Sequence, residues 1–280
     1  CMAAQCGVEV TIVEMLDDIL MVLDPDVRRE LRHHMEKTLD IRILTGSPLQ
    51  DIRAEKDRVR GTVNEQTLDA ELMLVSVGRQ PVVDDLQLER VGIRTVDGGF
   101  IPVDRHARTA AASIFAVGDV TEGTTQLAHE ATSQGVTAAE NAVGSKPAAC
   151  ETLVPACIFT APEVACVGLS ETEARAVGRS VTTGKFPFTA LGKAMAIGET
   201  DGFVKWIADA ETEQLLGAHA VGPHATDLIA EAAAAIRAEL TLDELGRTIH
   251  CHPTLSEAWM EAAHAAHGTC IHMAPKRRRS

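Results

Sequence analysis

Residues 249–257, with the sequence IHCHPTLSE, place a histidine and a glutamate where they could perform acid–base chemistry. His252 is followed five residues later by Glu257, across a turn that contains Pro253 and leads into a predicted helix. A carboxylate at this spacing can hold an imidazole in one tautomer and stabilise its cation. The alternative is structural, because Thr254 and Glu257 also match the pattern of a helix capping box. The segment therefore predicts either a general base with its orienting partner or a helix start alone.

The cysteines predict neither a disulfide nor a metal site. There are seven, an odd number at irregular spacing, which in a chain of 280 residues favours reduced thiols. Cys1 and Cys6 have a C-x4-C spacing, but residues five apart on a helix point about 140° apart, so the two thiols should not meet. Cys251 lies directly between His250 and His252, an arrangement that matches no usual zinc spacing.

The first part of the chain alternates between strand and helix patterns. Residues 7–14 predict a strand that ends in Glu14, and Asp24-Pro25 predicts the cap and first turn of a helix that extends to about Lys37. The apolar residues of this helix recur on one face, at Val27, Leu31 and Met35. Further strands are predicted at 41–44, 49–52, 59–63 and 68–77. A strand–helix–strand opening is typical of half of a nucleotide-binding α/β domain.

The remainder predicts a central segment and then a separate α+β domain. The segment 109–119 ends in a predicted apolar strand and a Gly-Asp pair, and a helix follows over about 127–143. A polar linker at 144–155 indicates a domain boundary. Beyond it, strands are predicted at 164–168, 180–186, 203–208 and 214–221, and helices at about 225–238 and 255–266. A basic tail, Lys276 to Arg279, closes the sequence.

Composition excludes several classes of protein. The net charge is −14, which argues against a nucleic-acid partner, because phosphate binding needs a basic face. No apolar run approaches the roughly 18 residues of a membrane span, and no secretory signal pattern is visible. With 45% hydrophobic and 24% charged residues, the composition is that of a globular protein. The reduced thiols expected from the cysteine spacing favour a cytoplasmic location.

Six motifs occur in order along the chain: VGRQP at 77–81, TAAASIFAVGD at 109–119, LAH at 127–129, FTAPEVA at 159–165, GAH at 217–219 and HPTLSEA at 252–258. Together they resemble the dihydrolipoamide dehydrogenase family, which comprises the E3 components of 2-oxo acid dehydrogenase complexes and belongs to class I of the pyridine nucleotide-disulfide oxidoreductases. HPTLSEA resembles the C-terminal signature of that family, and the other motifs bring the resemblance to essentially the whole chain.

The resemblance implies an α/β fold: a partial flavoprotein with two dinucleotide-binding domains, followed by an α+β dimerisation domain. Residues 1–79 would be the C-terminal part of the NAD domain, residues 80–148 the return segment of the FAD domain, and residues 149–280 the interface domain. It also implies the cofactors FAD and NAD, a homodimer formed through the C-terminal domain, and the lipoyl domain or acyltransferase core of a 2-oxo acid dehydrogenase complex as partner.

The resemblance also assigns catalytic roles. His252 resembles the base that deprotonates a dihydrolipoamide thiol, with Glu257 as its partner, and in the family this pair reaches into the active site of the other subunit. In the parent reaction, electrons pass from the substrate dithiol to an enzyme disulfide, to FAD and to NAD⁺. The flavin would be contacted by five residues that match the family motifs: Gly118, Asp119, Leu127, Ala128 and His129.

For NAD, the resemblance points to three residues. Glu14 follows the second strand of the nucleotide fold, where an acid accepts from the ribose 2′-hydroxyl and repels a 2′-phosphate, so NAD is favoured over NADP. Gly78 would pass close to the nicotinamide, and Leu49 would line the adenosine pocket.

The sequence departs from the family pattern in two respects, and several alternative functions stay open. The sequence contains no G-x-G-x-x-G fingerprint and no redox-active disulfide, so we expect no lipoamide turnover by this chain alone. A mercuric reductase would need paired cysteines near the C-terminus, where only Cys270 is present, and a glutathione reductase would prefer basic residues after Glu14. A transhydrogenase and a non-catalytic dimerisation or docking module stay open as alternatives.

Overall fold

The computed structural model describes residues 1–144 and 147–273, so the basic tail at 276–279 lies outside the described residues. The chain divides into two compact units, the first formed by residues 1–73 together with 155–280 and the second by residues 74–154. Each unit is defined by the contacts that its residues make with one another. The assignment of 1–79, 80–148 and 149–280 to NAD, FAD and dimerisation segments stays a prediction.

Ten strands and eight α-helices form within the described residues. The strands are β1 (Thr11–Val13), β2 (Arg42–Leu44), β3 (Gln50–Ala54), β4 (Val59–Val63), β5 (Gln66–Ala70), β6 (Ala156–Ile158), β7 (Glu163–Gly168), β8 (Val181–Pro187), β9 (Phe203–Asp209) and β10 (Leu215–Gly222). The helices are α1 (Met2–Gln5), α2 (Pro25–Lys37), α3 (Ala128–Val143), α4 (Glu171–Ala176), α5 (Gly192–Ile197), α6 (Ala225–Arg237), α7 (Leu242–Arg247) and α8 (Glu257–His267). None of the described helices has both the length and the apolar character needed to cross a membrane.

The opening of the first unit is a β–α–β element, as predicted. Strands β1 and β2 pair in parallel, and α2 lies between them in sequence. The side chain of Asp24 caps α2 by accepting from the Asp26 N–H at 3.0 Å, and Pro25 occupies the first turn, where its missing N–H costs nothing. The predicted apolar face is buried at Val27, Leu31 and Met35. The segment between β2 and residue 73 adds a three-stranded antiparallel sheet, β3–β4–β5.

The larger part of the first unit is a five-stranded antiparallel sheet in the order β6-β7-β10-β9-β8. Helix α6 packs on β7 and β10, and α8 packs on β8 and β9. Helix α2 packs against β10, so the core formed around Val27 and Leu31 also includes Val164, Phe203 and Val221 of this sheet. The first 73 residues and the sheet domain therefore share one hydrophobic core.

Strand β9 makes contacts on both faces of this sheet, because neighbouring residues of a strand point to opposite faces. Lys205, whose side chain is 4% exposed, donates from Nζ to carboxylates of Asp24 at 3.1 Å, Asp26 at 3.1 Å and Glu171 at 3.0 Å. Burial alone would lower the pKa of Lys205, but its bonds to Glu171 and the two aspartates raise the pKa, so the amine stays charged. This cluster connects β9 to the N-termini of α2 and α4.

On the opposite face, Trp206 and Trp259 connect β9 to α8. The Trp206 Nε1–H donates to the Trp259 carbonyl at 3.0 Å, and the Trp259 Nε1–H donates to the Leu228 carbonyl of α6 at 3.0 Å. Both indoles are fully buried, with ring centroids 4.6 Å apart. Two helices and one strand are thus held together by bonds whose donors have no access to water.

The second unit is poor in regular structure. Its one long helix among the described residues is α3, preceded by 3-10 turns at Asp84–Leu86, Leu88–Val91, Asp97–Gly99 and Gly118–Val120. Gly118 has φ of +73°, and a Cβ there would lie 2.9 Å from the Ala131 Cβ, so only glycine allows this loop to approach α3.

The structure corrects two predicted strands and adds three short helices. The strand predicted at 68–77 ends at Ala70, and Leu72, Leu74 and Val77 are exposed, because within the described residues no strand lies beside them to complete a ladder. The apolar strand predicted at the end of the segment 109–119 is reduced to one bridge, Arg108 to Phe115. Helices α4, α5 and α7 span six residues each, too short for the periodicity used above to detect.

The Lys205 cluster gives the first prediction. Lys205→Met leaves the fully buried Asp24 carboxylate without its cation, which should lower the free energy of unfolding by about 3–5 kcal/mol. The measurement is urea unfolding at pH 7, followed by the fluorescence of the two buried tryptophans. Lys37→Met, at an exposed position in the last turn of α2, is the matched control and should stay within about 0.5 kcal/mol. A Lys205→Met protein as stable as this control would contradict the prediction.

Candidate active site

The histidine and glutamate singled out in the sequence form a bonded pair in the structure. His252 Nδ1 lies 2.9 Å from Glu257 Oε1. Because a carboxylate only accepts, Nδ1 carries the proton and Nε2 of the neutral ring has a free electron pair. The His252 side chain is 72% exposed, whereas that of Glu257 is 10% exposed. The arrangement is that of a base directed outward from a buried carboxylate.

Glu257 uses its two oxygens for two different contacts. Its Oε2 accepts from the Thr254 N–H at 2.8 Å, while Oε1 faces His252. The capping box predicted on Thr254 and Glu257 does not form, because Ser256 is the N-cap of α8 and Glu257 is its first residue, not its third. The Thr254 hydroxyl instead donates to the Cys251 carbonyl at 2.7 Å. Burial raises the pKa of Glu257, but the bonds from Thr254 and His252 outweigh it and hold the pKa below its ordinary value of 4.5. The residue is therefore an anion at neutral pH.

The loop before α8 owes its position to the tryptophan contacts described above. Glu257 is the first residue of α8, and Trp259, two residues later, is bonded to both β9 and α6. The His252–Pro253 peptide bond is cis. The imidazole is thus carried on a short loop whose C-terminal end is fixed by a buried helix.

The residues predicted to contact FAD lie together in the second unit. The Gly118 N–H donates to Gln134 Oε1 of α3 at 2.7 Å, and Asp119 follows with a half-exposed carboxylate that lies 3.8 Å from Arg79. Leu127 is the N-cap of α3 and makes no side-chain cap bond, and Ala128 and His129 form the exposed first turn. A carboxylate that can accept from hydroxyls and a helix N-terminus that favours negative charge fit a flavin with a ribityl chain.

The residues predicted to contact NAD fall in both units. Glu14 follows β1, and its Oε1 accepts from the Leu16 N–H at 2.8 Å, so the carboxylate is held at the strand end. Leu49 packs on the three-stranded sheet, where a Cβ on Gly61 would come within 2.7 Å of Leu49 Cδ1. Gly78, in the second unit, has φ of +130° and open space where a Cβ would lie. Each position permits its predicted role, and the roles themselves stay predictions.

Sequence reasoning missed two carboxylates that contact histidines near the candidate base. Glu231 of α6 lies 2.6 Å from His250 Nε2. Glu261 of α8 is fully buried and lies 2.6 Å from His272 Nδ1. Both acids begin alanine-rich helical segments, EAAAA and EAAHAA. An acid within such an apolar segment is the sequence signal that could have identified them.

All seven cysteines lie within the described residues, and each of them is a free thiol. Burial, followed by the neighbouring Glu261 carboxylate, raises the pKa of Cys270 to about 11, and burial raises that of Cys166 to about 11. The Cys270 Sγ lies 2.6 Å from Glu261 Oε2 and is the donor of that contact. Because the thiolate is the reactive form, neither thiol is prepared for disulfide exchange at neutral pH. Within the described residues, no group of three or more metal-binding side chains could hold a metal ion.

Comparison with known proteins agrees with this architecture. Residues 1–135 match the pyridine nucleotide-disulphide oxidoreductase family, and residues 154–263 match the dimerisation domain of the same family. The chain belongs to the pyridine nucleotide-disulphide oxidoreductases, whose cofactors are FAD and NAD. The predicted fold class is thereby confirmed.

Within the family, the chain is similar to dihydrolipoyl dehydrogenases. That of Bacillus subtilis is 44% identical over 276 residues, covering 95% of this chain and 57% of the relative. That of Chlamydia muridarum is 43% identical over 272 residues, covering 97% and 58%. The resemblance inferred from the sequence is confirmed, and the chain spans somewhat more than half the length of these relatives.

Solved structures show the same likeness. LpdA from Mycobacterium tuberculosis superposes with a TM-score of 0.86 at 31% identity, over 93% of this chain and 57% of that one. The HOCl-induced flavoprotein disulfide reductase RclA from Escherichia coli superposes with a TM-score of 0.86 at 26% identity, over 94% of this chain and 60% of that one.

The lowered pKa of Glu257 gives the second prediction. A group whose pKa is lower in the folded state contributes stability above its ordinary pKa of 4.5, and this contribution is lost as the pH falls through the folded-state value. Glu257→Gln should therefore lower the free energy of unfolding by about 1–3 kcal/mol at pH 7, and the difference from the wild type should shrink toward pH 3. Urea unfolding at both pH values measures it. Glu211→Gln, at an exposed position, is the control; a Glu257→Gln deficit that stays constant with pH would refute the assignment.

Proposed function

We propose that the chain supplies the base-bearing and dimer-forming portion of a dihydrolipoamide dehydrogenase, which oxidises dihydrolipoamide with NAD⁺ to give lipoamide, NADH and a proton. The observation that carries the proposal is the His252–Glu257 pair, with Nδ1 bound to a buried carboxylate and Nε2 directed outward. The identity of 43–44% to dihydrolipoyl dehydrogenases supports the choice of substrate.

In this proposal His252 prepares the substrate for thiol–disulfide exchange. Nε2 accepts the proton of a dihydrolipoamide thiol, which leaves the thiolate that is the nucleophile in the exchange. The resulting imidazolium is stabilised by the Glu257 carboxylate, which stays in place because Thr254 and the start of α8 hold it. FAD, when bound, provides a carrier of two electrons between thiols and nicotinamide.

The cofactor residues keep the roles proposed from the sequence. Asp119 would accept from the hydroxyls of the flavin ribityl chain, with Gly118 allowing the close turn before it. The first turn of α3, at Leu127, Ala128 and His129, would face the electron-rich edge of the flavin. For NAD, Glu14 would bind the ribose 2′-hydroxyl, Gly78 would pass near the nicotinamide and Leu49 would line the adenosine pocket.

The proposal includes a homodimer through the dimerisation domain at 154–263, in which the base pair of one subunit serves the active site of the other. Two exposed side chains support this: His252 itself, at 72%, and the apolar Ile249 three residues before it, at 95%. The partners would be lipoyl domains and the acyltransferase core of a 2-oxo acid dehydrogenase complex in the cytoplasm. Residues 1–79, 80–148 and 149–280 would provide the NAD, FAD and interface segments.

The third prediction tests the base. The N-terminal portion of the Bacillus subtilis relative that this chain does not match is fused to the chain, and the fusion is assayed for retained FAD and for NADH production from dihydrolipoamide. His252→Gln should lower kcat by about 10²–10⁴-fold with FAD content unchanged, because the proton acceptor is lost.

The controls for this experiment are a second histidine and the unfused chain. His267→Gln, at the end of α8, should keep its activity. The unfused 280-residue chain should show none, since it contains no redox disulfide. A fusion that retains FAD but does not oxidise dihydrolipoamide would exclude the proposed substrate and favour a docking module or another flavoprotein reductase.

The fourth prediction concerns the choice of nicotinamide cofactor. Glu14→Gln keeps an acceptor for the Leu16 N–H but removes the charge that repels a 2′-phosphate. In the same fusion, the ratio of kcat/KM for NAD⁺ to that for NADP⁺ should fall about tenfold, since like charges in contact disfavour binding by more than about 1.4 kcal/mol. Glu9→Gln, at an exposed position just before β1, should leave the ratio unchanged. An unchanged ratio in Glu14→Gln would remove Glu14 from the NAD site.

A further inference from the structure

A second histidine, His250, lies two residues before the candidate base and is in a different environment. Its side chain is 6% exposed, compared with 72% for His252. Its Nδ1 lies 2.9 Å from the Thr248 carbonyl, and its Nε2 lies 2.6 Å from Glu231 Oε1. Both ring nitrogens are thus engaged within the protein, and neither is directed to substrate.

The two contacts determine the charge of this ring. A carbonyl and an ionised carboxylate are both acceptors, and a neutral imidazole offers only one N–H. Two bonds to two acceptors require both nitrogens to be protonated, so His250 is an imidazolium paired with the Glu231 anion. The contact with Glu231, supported by the Thr248 carbonyl and the charge of Glu257, raises the pKa of His250 against the opposing effect of burial.

The ion pair connects the loop that carries His252 to a second helix. Glu231 lies in the second turn of α6, while Glu257 lies at the start of α8. The loop is therefore held by one carboxylate on each side of His252: Glu231 binds the ring two residues before it, and Glu257 binds the base itself and the Thr254 N–H. The backbone that carries His252 is thus anchored to a helix on each side of this residue.

We propose that His250, held as an imidazolium by Glu231, is a positioning residue that keeps His252 aligned on Glu257 for proton transfer. This inference rests on the proposed function of His252 as base. Two histidines in one short loop then have opposite tasks: the buried ring remains charged and anchors, and the exposed ring cycles between neutral and charged. The chemical partners explain the difference, since His250 faces two acceptors and His252 faces one.

The charge state can be measured without any activity. In the 280-residue chain with ¹⁵N-labelled histidine, the ¹⁵N and ¹H resonances of His250 should show both ring nitrogens protonated at pH 7.5. The same ring should lose one of these protons in Glu231→Gln, whose amide can donate to Nε2. A neutral His250 in the wild-type chain overturns the inference, whatever the assay of the fused enzyme shows.

The positioning role is tested in the fusion described above. Glu231→Gln should lower kcat about 10- to 100-fold with KM for dihydrolipoamide changed less than about twofold, because a misaligned base slows proton transfer without removing substrate contacts. Glu231→Asp, which retains the charge, should recover part of kcat. Glu239→Gln, at an exposed position just after α6, is the matched control and should behave as the wild type.

The outcomes separate this inference from the function on which it rests. If Glu231→Gln has the kcat of the control while His252→Gln is inactive, the base stands and the positioning role is refuted. If His252→Gln keeps its activity, the proposed function fails, and the resonances of His250 still decide its charge. If Glu231→Gln does not fold, the kcat of Glu231→Asp tests the positioning role, and the wild-type resonances test the charge of His250.

Discussion

The contact between Lys205 and Asp24 is the interaction on which the first unit depends. Both groups are almost inaccessible to water, and a buried charge without its partner is far more costly than the pair. The lysine satisfies Asp26 and Glu171 as well, so the starts of α2 and α4 are fixed to one position on β9. Because strand residues alternate in direction, the next residue, Trp206, acts on the other face of the same sheet.

The position of the candidate active site depends on the contacts made on this second face of the sheet. Trp206 and Trp259 fix the first turns of α8 against β9 and α6, and Glu257 begins α8. A carboxylate whose backbone cannot move is a better orienting partner than one on a flexible loop, because less ordering is needed when the imidazole becomes charged. Glu257 accepts from the Thr254 N–H with one oxygen and faces His252 with the other, so its structural contact and its proposed catalytic role do not compete.

Local patterns in the sequence predicted the local features well and the distant pairings not at all. The Asp24 cap, the buried face of α2, most strands of the five-stranded sheet and the pair five residues apart could be predicted, since each depends on neighbours in sequence. Lys205 and Asp24 are 181 residues apart, and nothing in a strand of apolar residues indicates which acids its lysine will meet. The strand predicted at 68–77 failed for the same reason, because a ladder needs a neighbouring strand that the local pattern does not contain.

Exposure is the property that distinguishes His252 from the two side chains discussed with it, since His250 and Glu257 are almost buried. The candidate base has a well-defined contact with Glu257, yet nearly three quarters of its side chain faces solvent, where the charges of both groups are screened. The neighbouring Ile249 is even more exposed, and the exposure of a large apolar side chain to water is unfavourable. Both observations are explained if another protein surface covers this loop, as the match to a dimerisation domain favours. On this view the chain fixes the direction of the candidate base, and a covering protein surface would supply the low dielectric environment in which a base is effective.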